Sequence, residues 1–162
     1  QADKAILKAF TAANCTVENR ENRIFVRGKE RVSFTFDCTD CPDLFPTLAA
    51  FAALTEGTTT LYGLHRLVDK ESNRGLTIQT EFRKLGAEII LDESNNAMII
   101  KGKTSIFGGR VFSNNDHRIA MSLAILGMFS NNPIEIDNPE AVKKSYPGFW
   151  EDLESLKTIK KT

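Results

Sequence analysis

A chain of 162 residues, 41% hydrophobic and 26% charged, suits one compact domain with a buried core. Its 21 basic residues balance 21 acidic ones, so no general field draws it to nucleic acid or to an anionic membrane surface. Any anion it binds must be held by a local cluster, and no apolar run approaches the ~20 residues of a membrane helix.

The opening Gln1-Ala2-Asp3-Lys4 lacks Met and a signal-peptide core, which suggests a processed or trimmed start. Ile6, Leu7 and Phe10 with Ala between them predict a helix over residues 2–13. Two short strands follow, 15–18 and 24–27, joined by the polar turn Asn19-Arg20-Glu21-Asn22. Val32-Ser33-Phe34-Thr35-Phe36 alternates as a strand does, and a loop over 37–42 leads into an Ala-rich helix over 43–54, ended by Gly57. Residues 58–62 are β-branched and strand-like, and a helix over 71–85 stops at Gly86. Strands 88–91 and 97–100 flank a hairpin turn at 92–96. Then come a strand at 110–112, an apolar helix over 116–129, the break Asn131-Asn132-Pro133, a strand at 134–136 and an amphipathic helix over 147–156.

Three cysteines, Cys15, Cys38 and Cys41, cannot all pair internally. Cys38-x-x-Cys41 has the spacing of half a zinc or redox motif, but no second Cys/His pair accompanies it. The pair therefore reads as reduced cytosolic thiols on a loop, with no metal and a cytoplasmic location expected.

These elements repeat. "AILKAFTAANCTVENRENRIFVRGK" parallels "IQTEFRKLGAEIILDESNNAMIIKGK", and the segment from Val32 to Gly63 parallels that from Gly109 to Asn138. The unit is βαβαββ, an α/β fold class with mixed sheets and helices. Residues 1–31 end one unit, 32–103 form a complete one and 104–162 open another. Right-handed crossovers gather strand ends and helix starts on one side of such sheets, where ligands tend to sit. The repeat thus predicts that Asp43, residues 70–74, residues 116–118 and Lys144 are neighbours in space.

Each of these four places carries unusual charge. With a helix start near Lys70, Lys70 and Arg74 share a face at i,i+4, and Glu71 and Arg74 are i,i+3. Two cations at a helix N-terminus oppose the helix dipole, a conflict that a bound anion would resolve. From these five residues alone, a solvated turn with a Glu71–Arg74 pair is the more natural account. Asp116 is a good N-cap, with Arg118 again a cation in a first turn. His117 by itself reads as a structural or surface histidine before a catalytic one, and gains a functional reading only from Arg118 beside it and the 70–74 cluster; Lys144 reads as part of a basic turn with Pro147 at the first helical position. Asp43 reads as an N-cap or as a carboxylate of the site. Together they suit a multiply charged anion held by Lys70, Arg74, Arg118 and Lys144, with Asp43 and Glu71 able to move protons.

The order Pro-Asp, Gly-Thr-Thr-Thr-Leu, Lys-Glu-Ser-Asn-Arg, Arg-Lys-Leu-Gly-Ala, Asn-Asp-His-Arg-Ile-Ala-Met and Lys-Ser-Tyr-Pro resembles the C-terminal part of the 5-enolpyruvylshikimate-3-phosphate synthase family, from about Val32 to Leu156. The resemblance implies two lobes of three βαβαββ units each, of which this chain is a partial C-terminal lobe. It implies transfer of the enolpyruvyl group of phosphoenolpyruvate to the 5-hydroxyl of shikimate-3-phosphate with release of phosphate, without metal or organic cofactor. By the same resemblance Asp43 accepts the hydroxyl proton and Glu71 donates to the phosphoenolpyruvate methylene. Lys70 lies between the hydroxyl and Glu71, and Arg74, Arg118 and Lys144 hold phosphoenolpyruvate, with Asp116 and His117 in support. Asn73 and Gly148 stand where many members have Asp, and an asparagine that contacts shikimate-3-phosphate falls near Arg66. The family's N-terminal lobe supplies the remaining substrate contacts, so this chain is expected to be inactive alone. The sister transferase acting on UDP-N-acetylglucosamine is disfavoured by the Lys-Glu-Ser-x-Arg and Asp-His-Arg motifs. A non-catalytic module binding RNA or a protein is disfavoured by the neutral charge.

Overall fold

The computed structural model describes residues 2–28, 30–103 and 105–158. A 3-10 turn, Ala2–Ala5, leads into helix α1, Ile6–Ala12, followed by the hairpin β1, Thr16–Arg20, and β2, Arg23–Arg27. The next stretch runs β3, Thr35–Asp37; α2, Phe45–Ala53; β4, Gly57–Tyr62; α3, Arg74–Lys84; β5, Glu88–Asp92; and β6, Ala97–Gly102. Last come β7, Gly109–Phe112; α4, His117–Gly127; β8, Ile134–Asp137; and α5, Phe149–Thr158. The fold is mixed α/β, and the run from β3 to β6 has the order βαβαββ.

Its sheet is ordered β3-β4-β6-β5, with β3 and β4 parallel and the β5–β6 hairpin antiparallel to β4. The strand pair β7–β8 is parallel like β3–β4, and β1–β2 is an antiparallel hairpin like β5–β6; among the described residues each is a two-stranded sheet. Alternation explains which faces are covered: Leu61 of β4, Ile89 of β5, and Met98 and Ile100 of β6 are all fully buried. Against them pack Phe45 and Leu48 of α2, Ile78 and Phe82 of α3, and Ile119 and Leu123 of α4. A smaller cluster joins Ala120 and Ala124 of α4 to Phe149 and Leu153 of α5.

Helix starts differ from the sequence expectation in ways that matter for the site. Asp43 lies in a 3-10 turn, Pro42–Leu44, and α2 begins at Phe45. The third helix begins at Arg74 rather than near residue 71, because the Asn73 side chain caps it by accepting from the Leu76 N–H. The last helix begins at Phe149, so Pro147 is outside it, and Lys144 ends a separate 3-10 turn, Pro139–Lys144. The first helix is likewise part 3-10, and the strand expected at 32–36 is ordered as a ladder only over Thr35–Asp37.

The cysteines are not solvent-facing loop thiols. Cys15, Cys38 and Cys41 are free and all buried in the core, and burial pushes the Cys38 thiol far above its ordinary range, with Cys41 and Asp37 adding to the effect. They pack as small hydrophobes. Among the described residues no group of His, Cys, Asp or Glu could hold a metal ion, and no helix is long and apolar enough to cross a membrane.

One contact fixes the third unit against the second. Glu81 of α3, buried, accepts from the Phe112 N–H of β7 at 2.8 Å and from Lys84 Nζ at 2.8 Å. A second constraint is Gly102, where an added Cβ would lie 1.9 Å from the Thr55 carbonyl oxygen and 2.1 Å from that of Ala52. Gly102→Ala is expected to lose about 1–3 kcal/mol by overpacking. Gly127→Ala, whose new Cβ meets only ordinary contacts at 3.7 Å or more, is expected to be neutral or to gain up to about 1 kcal/mol. Urea unfolding of the two variants checks the contrast.

Candidate active site at three helix starts

Arg74 is the first residue of α3 and only 1% exposed. A guanidinium there opposes the helix dipole and loses its hydration, so it needs anions around it. The fold supplies three. Arg74 Nε donates to Asp116 Oδ2 at 2.7 Å, Nη1 to Asp43 Oδ1 at 2.7 Å and Nη2 to Glu71 Oε2 at 2.5 Å. Burial works against the charge, but the hydrogen bonds and charges of Asp116, Asp43 and Glu71 outweigh it and hold the group firmly protonated. The anion that settles the conflict at this helix start is therefore the protein's own carboxylates. Lys70 and Glu71 precede the helix, so Lys70 does not share a helical face with Arg74; its Nζ instead sits 3.4 Å from Asp43 Oδ1.

Asp116 is fully buried and caps α4 by accepting from the Arg118 N–H at 2.9 Å, while Ser72 Oγ donates to its Oδ2 at 3.2 Å. Two consecutive left-handed residues, Asn114 with φ 53° and Asn115 with φ 56°, turn the chain from β7 back so that Asp116 faces Arg74. Asn tolerates this conformation better than most side chains. Ser72 and Asn115 were not among the site residues expected from sequence. The Asn-Asn-Asp run is a turn signal that could have drawn attention to Asn115, but nothing in Ser72 announces its contact.

Asp43 joins the helix starts. Besides Arg74 and Lys70, it receives Arg118 Nη2 at 3.0 Å on Oδ2. Partial burial alone would raise its carboxyl, yet the Arg74 hydrogen bond and the charges of Arg118, Arg74 and Lys70 bring it below the usual carboxylate range. Arg74 and Arg118, 44 residues apart in sequence (118 − 74), thus converge on one carboxylate.

His117 follows in the first turn of α4, and its Nδ1 is buried without a hydrogen-bond partner, 3.9 Å from Glu71 Oε1. That separation is too long for a hydrogen bond. Desolvation pushes His117 below its ordinary value; Asp116 and Glu71 pull the other way and do not overcome it. Lys144 stands beside the cluster rather than in it, donating from Nζ to the Asn115 carbonyl at 2.5 Å. The structure therefore brings together Asp43, Lys70, Glu71, Arg74, Asp116, His117 and Arg118, with Lys144 reaching them through Asn115.

The surface this presents is an open charged face. The side chains of Lys70 and Arg118 are 26% and 27% exposed, against 1% for Arg74. An incoming anion meets Lys70 and Arg118 directly, but reaches Arg74 only by displacing one of its carboxylates. Beside the cluster a cleft of about 200 Å³ runs past Arg118, Met121, Tyr146 and Phe149. Two departures from the family pattern are structurally mild. Asn73 caps α3 as an Asp would, and a Cβ on Gly148 would meet only ordinary contacts at 3.9 Å or more. Arg66 is exposed in a 3-10 turn, where its neighbour His65 bonds Asn96 through the backbone N–H at 2.8 Å and Nδ1 at 2.9 Å.

Two measurements test this electrostatic arrangement. Asp116→Asn keeps a capping side chain but strips the buried guanidinium of its closest counter-charge, and is expected to cost about 3–5 kcal/mol in urea unfolding. Because the folded chain holds His117 below 6.5, the unfolded chain takes up that proton first as the pH falls. Stability is therefore expected to be full above pH 6.5 and to decline below it, with His117→Gln flattening that segment. The Asp43 contribution persists to lower pH and is lost as the pH falls through its depressed value, below 3.8.

Comparison with known proteins agrees with the resemblance read from the motifs. The family model for EPSP synthase (3-phosphoshikimate 1-carboxyvinyltransferase) matches residues 1–153. The chain is similar to the 3-phosphoshikimate 1-carboxyvinyltransferase of Clostridium kluyveri, 43% identical over 156 residues, covering 96% of this chain and 36% of that protein. It is also similar to that of Clostridium perfringens, 41% identical over 162 residues, covering 99% and 38%. The solved structure of EPSP synthase from Acinetobacter baumannii superimposes with a TM-score of 0.77 at 31% identity, covering 93% of this chain and 37% of that one. The chain thus spans a little over a third of the length of these curated relatives, and over that span it belongs to the EPSP synthase family.

Proposed function

We propose that this chain forms one face of the active site of a 3-phosphoshikimate 1-carboxyvinyltransferase and works with the part of the relatives' length that it does not span. The observation that carries the reading is the shared carboxylate of Asp43, gripped by Arg74 and Arg118 from two separate helices. Enolpyruvyl transfer adds a hydroxyl across the C2–C3 double bond of phosphoenolpyruvate and then eliminates phosphate. It needs one group to take the hydroxyl proton, another to protonate the methylene carbon, and cations for the carboxylate and phosphate.

Asp43 fits the first task, because the cations around it lower its pKa and keep it an ionised acceptor, with Lys70 3.4 Å away to orient the hydroxyl of shikimate-3-phosphate. Glu71 fits the second, since its carboxyl reaches the open face while one oxygen stays on Arg74. Arg118, partly exposed beside Asp43, and Lys144, exposed beside the Asn115 carbonyl, can meet phosphoenolpyruvate without displacing a buried carboxylate. Arg74 joins them when the substrate carboxylate replaces Glu71 on Nη2, an exchange that frees the Glu71 carboxylate to take up a proton from solvent and pass it to the methylene carbon. Asp116 and His117 position Arg74 and Arg118, and no step calls for a metal or an organic cofactor.

The test is phosphate release from phosphoenolpyruvate and shikimate-3-phosphate, followed with the chain alone and with the N-terminal portion of a close relative added. Turnover is expected only in the mixture, falling about 10²–10⁴-fold with Asp43→Asn or Glu71→Gln. Sustained turnover by the chain alone, or a mixture indifferent to both substitutions, would overturn the assignment.

A further inference from the structure

Ser113, between β7 and α4, has no exposed surface, and each of its polar groups is engaged. Its N–H donates to the Asp137 carbonyl at 3.2 Å, and its Oγ donates to the Asn138 carbonyl at 2.9 Å. In the other direction its Oγ accepts from the Asn115 N–H at 3.2 Å, and its carbonyl from the Asp116 N–H at 3.0 Å. One buried residue thus ties the end of β8 to the turn that leads into α4.

Both tied segments govern Lys144. Asn138, left-handed with φ 55°, opens the 3-10 turn that ends at Lys144. Asn115 supplies the carbonyl that receives Lys144 Nζ at 2.5 Å. In a trans peptide the N–H and the C=O point in opposite directions. Because the Asp116 N–H is turned onto the Ser113 carbonyl, the Asn115 carbonyl of the same peptide faces away from it, toward the lysine. The preceding peptide is fixed in turn by the Asn115 N–H on Ser113 Oγ.

The internal repeat isolates the part played by the hydroxyl. Asp37 pairs with Tyr62 as Phe112 pairs with Asp137, so Cys38 stands in the preceding unit where Ser113 stands here. Its backbone makes the same two bonds, from the Cys38 N–H to the Tyr62 carbonyl at 2.9 Å and from the Cys41 N–H to the Cys38 carbonyl at 3.0 Å. Gly63, left-handed with φ 101°, is the counterpart of Asn138. Cys38 is as fully buried as Ser113, so a thiol satisfies the packing and the turn at this position. The strong hydroxyl donor is an addition made in the unit that carries Lys144.

We propose that Ser113 is a positioning residue, whose hydroxyl binds the Asn115 and Asn138 peptides together and so sets Lys144 on the charged face. Its use in the reaction rests on the phosphoenolpyruvate role proposed above for Lys144; the placement itself can be read without substrate.

Two measurements keep these apart. In the chain alone, brief acetylation followed by fragment mass spectrometry compares Lys144 with Lys143, an exposed neighbour on the same turn. Ser113→Ala and Ser113→Cys, the latter copying the Cys38 position, are each expected to speed Lys144 acetylation about fivefold and to leave Lys143 unchanged. In the mixture with the N-terminal portion of a relative, both are expected to raise the KM for phosphoenolpyruvate about fivefold, while kcat and the KM for shikimate-3-phosphate hold. That rise is expected to vanish in a Lys144→Met background. Lys144 acetylation as slow as in the unsubstituted chain overturns the proposal. So does a rise shared equally by Lys143, which would make Ser113 a general support of the fold, and so does a KM effect that persists in Lys144→Met. Faster Lys144 acetylation together with a KM indifferent to Lys144→Met would support the placement and overturn instead the role of Lys144 in the reaction.

Discussion

Everything in the site depends on one buried cation. Arg74 is taken out of water at a helix start, a position that disfavours positive charge twice, by desolvation and by the dipole. It is tolerable only because carboxylates from three separate segments converge on its fork. The 3-10 turn of Asp43, the loop of Glu71 and the cap of Asp116 are thereby held to a common point. A planar guanidinium with donors in fixed directions can do this; a lysine carries its three donors on one rotating nitrogen and would not fix the three segments in one plane. The ion cluster is better understood as a device for geometry than as a source of stability, since buried ion pairs seldom outweigh their own desolvation.

The same arrangement gives the site its chemical character. Acids surrounded by cations stay ionised, and Asp43 is held that way by Arg74, Arg118 and Lys70 together. His117, by contrast, is wedged among these charges with a buried, unpartnered nitrogen and is kept neutral by burial. One small region thus contains a carboxylate held ionised by three cations, a carboxylate shared with an arginine and a neutral imidazole. Ionisation states are separated by environment rather than by residue type.

Much of this was legible in the sequence, because the repeat carries spatial information that single motifs lack. Residues 43, 70–74 and 116–118 are far apart along the chain, yet a βαβαββ unit sends each strand end to the same side, so their neighbourhood followed from topology. What could not be read was who bonds to whom. The sequence offered Lys70 as the start of a helix, whereas Asn73 caps it, and that shift of three residues frees Lys70 and Glu71 to approach Asp43 and Arg74 from a loop. Nor did spacing reveal that Arg74 is saturated by the protein's own acids. Saturation depends on side-chain directions from three segments at once, information that no local window contains. The loop placement of the free Cys38 and Cys41 was legible, but that this loop is folded under the core was not.

The carboxylate of Glu81 has a consequence for how a sheet of this kind can grow. By occupying the outward N–H of Phe112 it closes β7 to further pairing, while on the opposite side β8 pairs with no further strand among the described residues. The two-stranded sheet is therefore polar in the manner of a ratchet, able to add strands in one direction and not the other. A sheet with one stopped edge cannot be extended at random, and any further strand must pair on the side of β8.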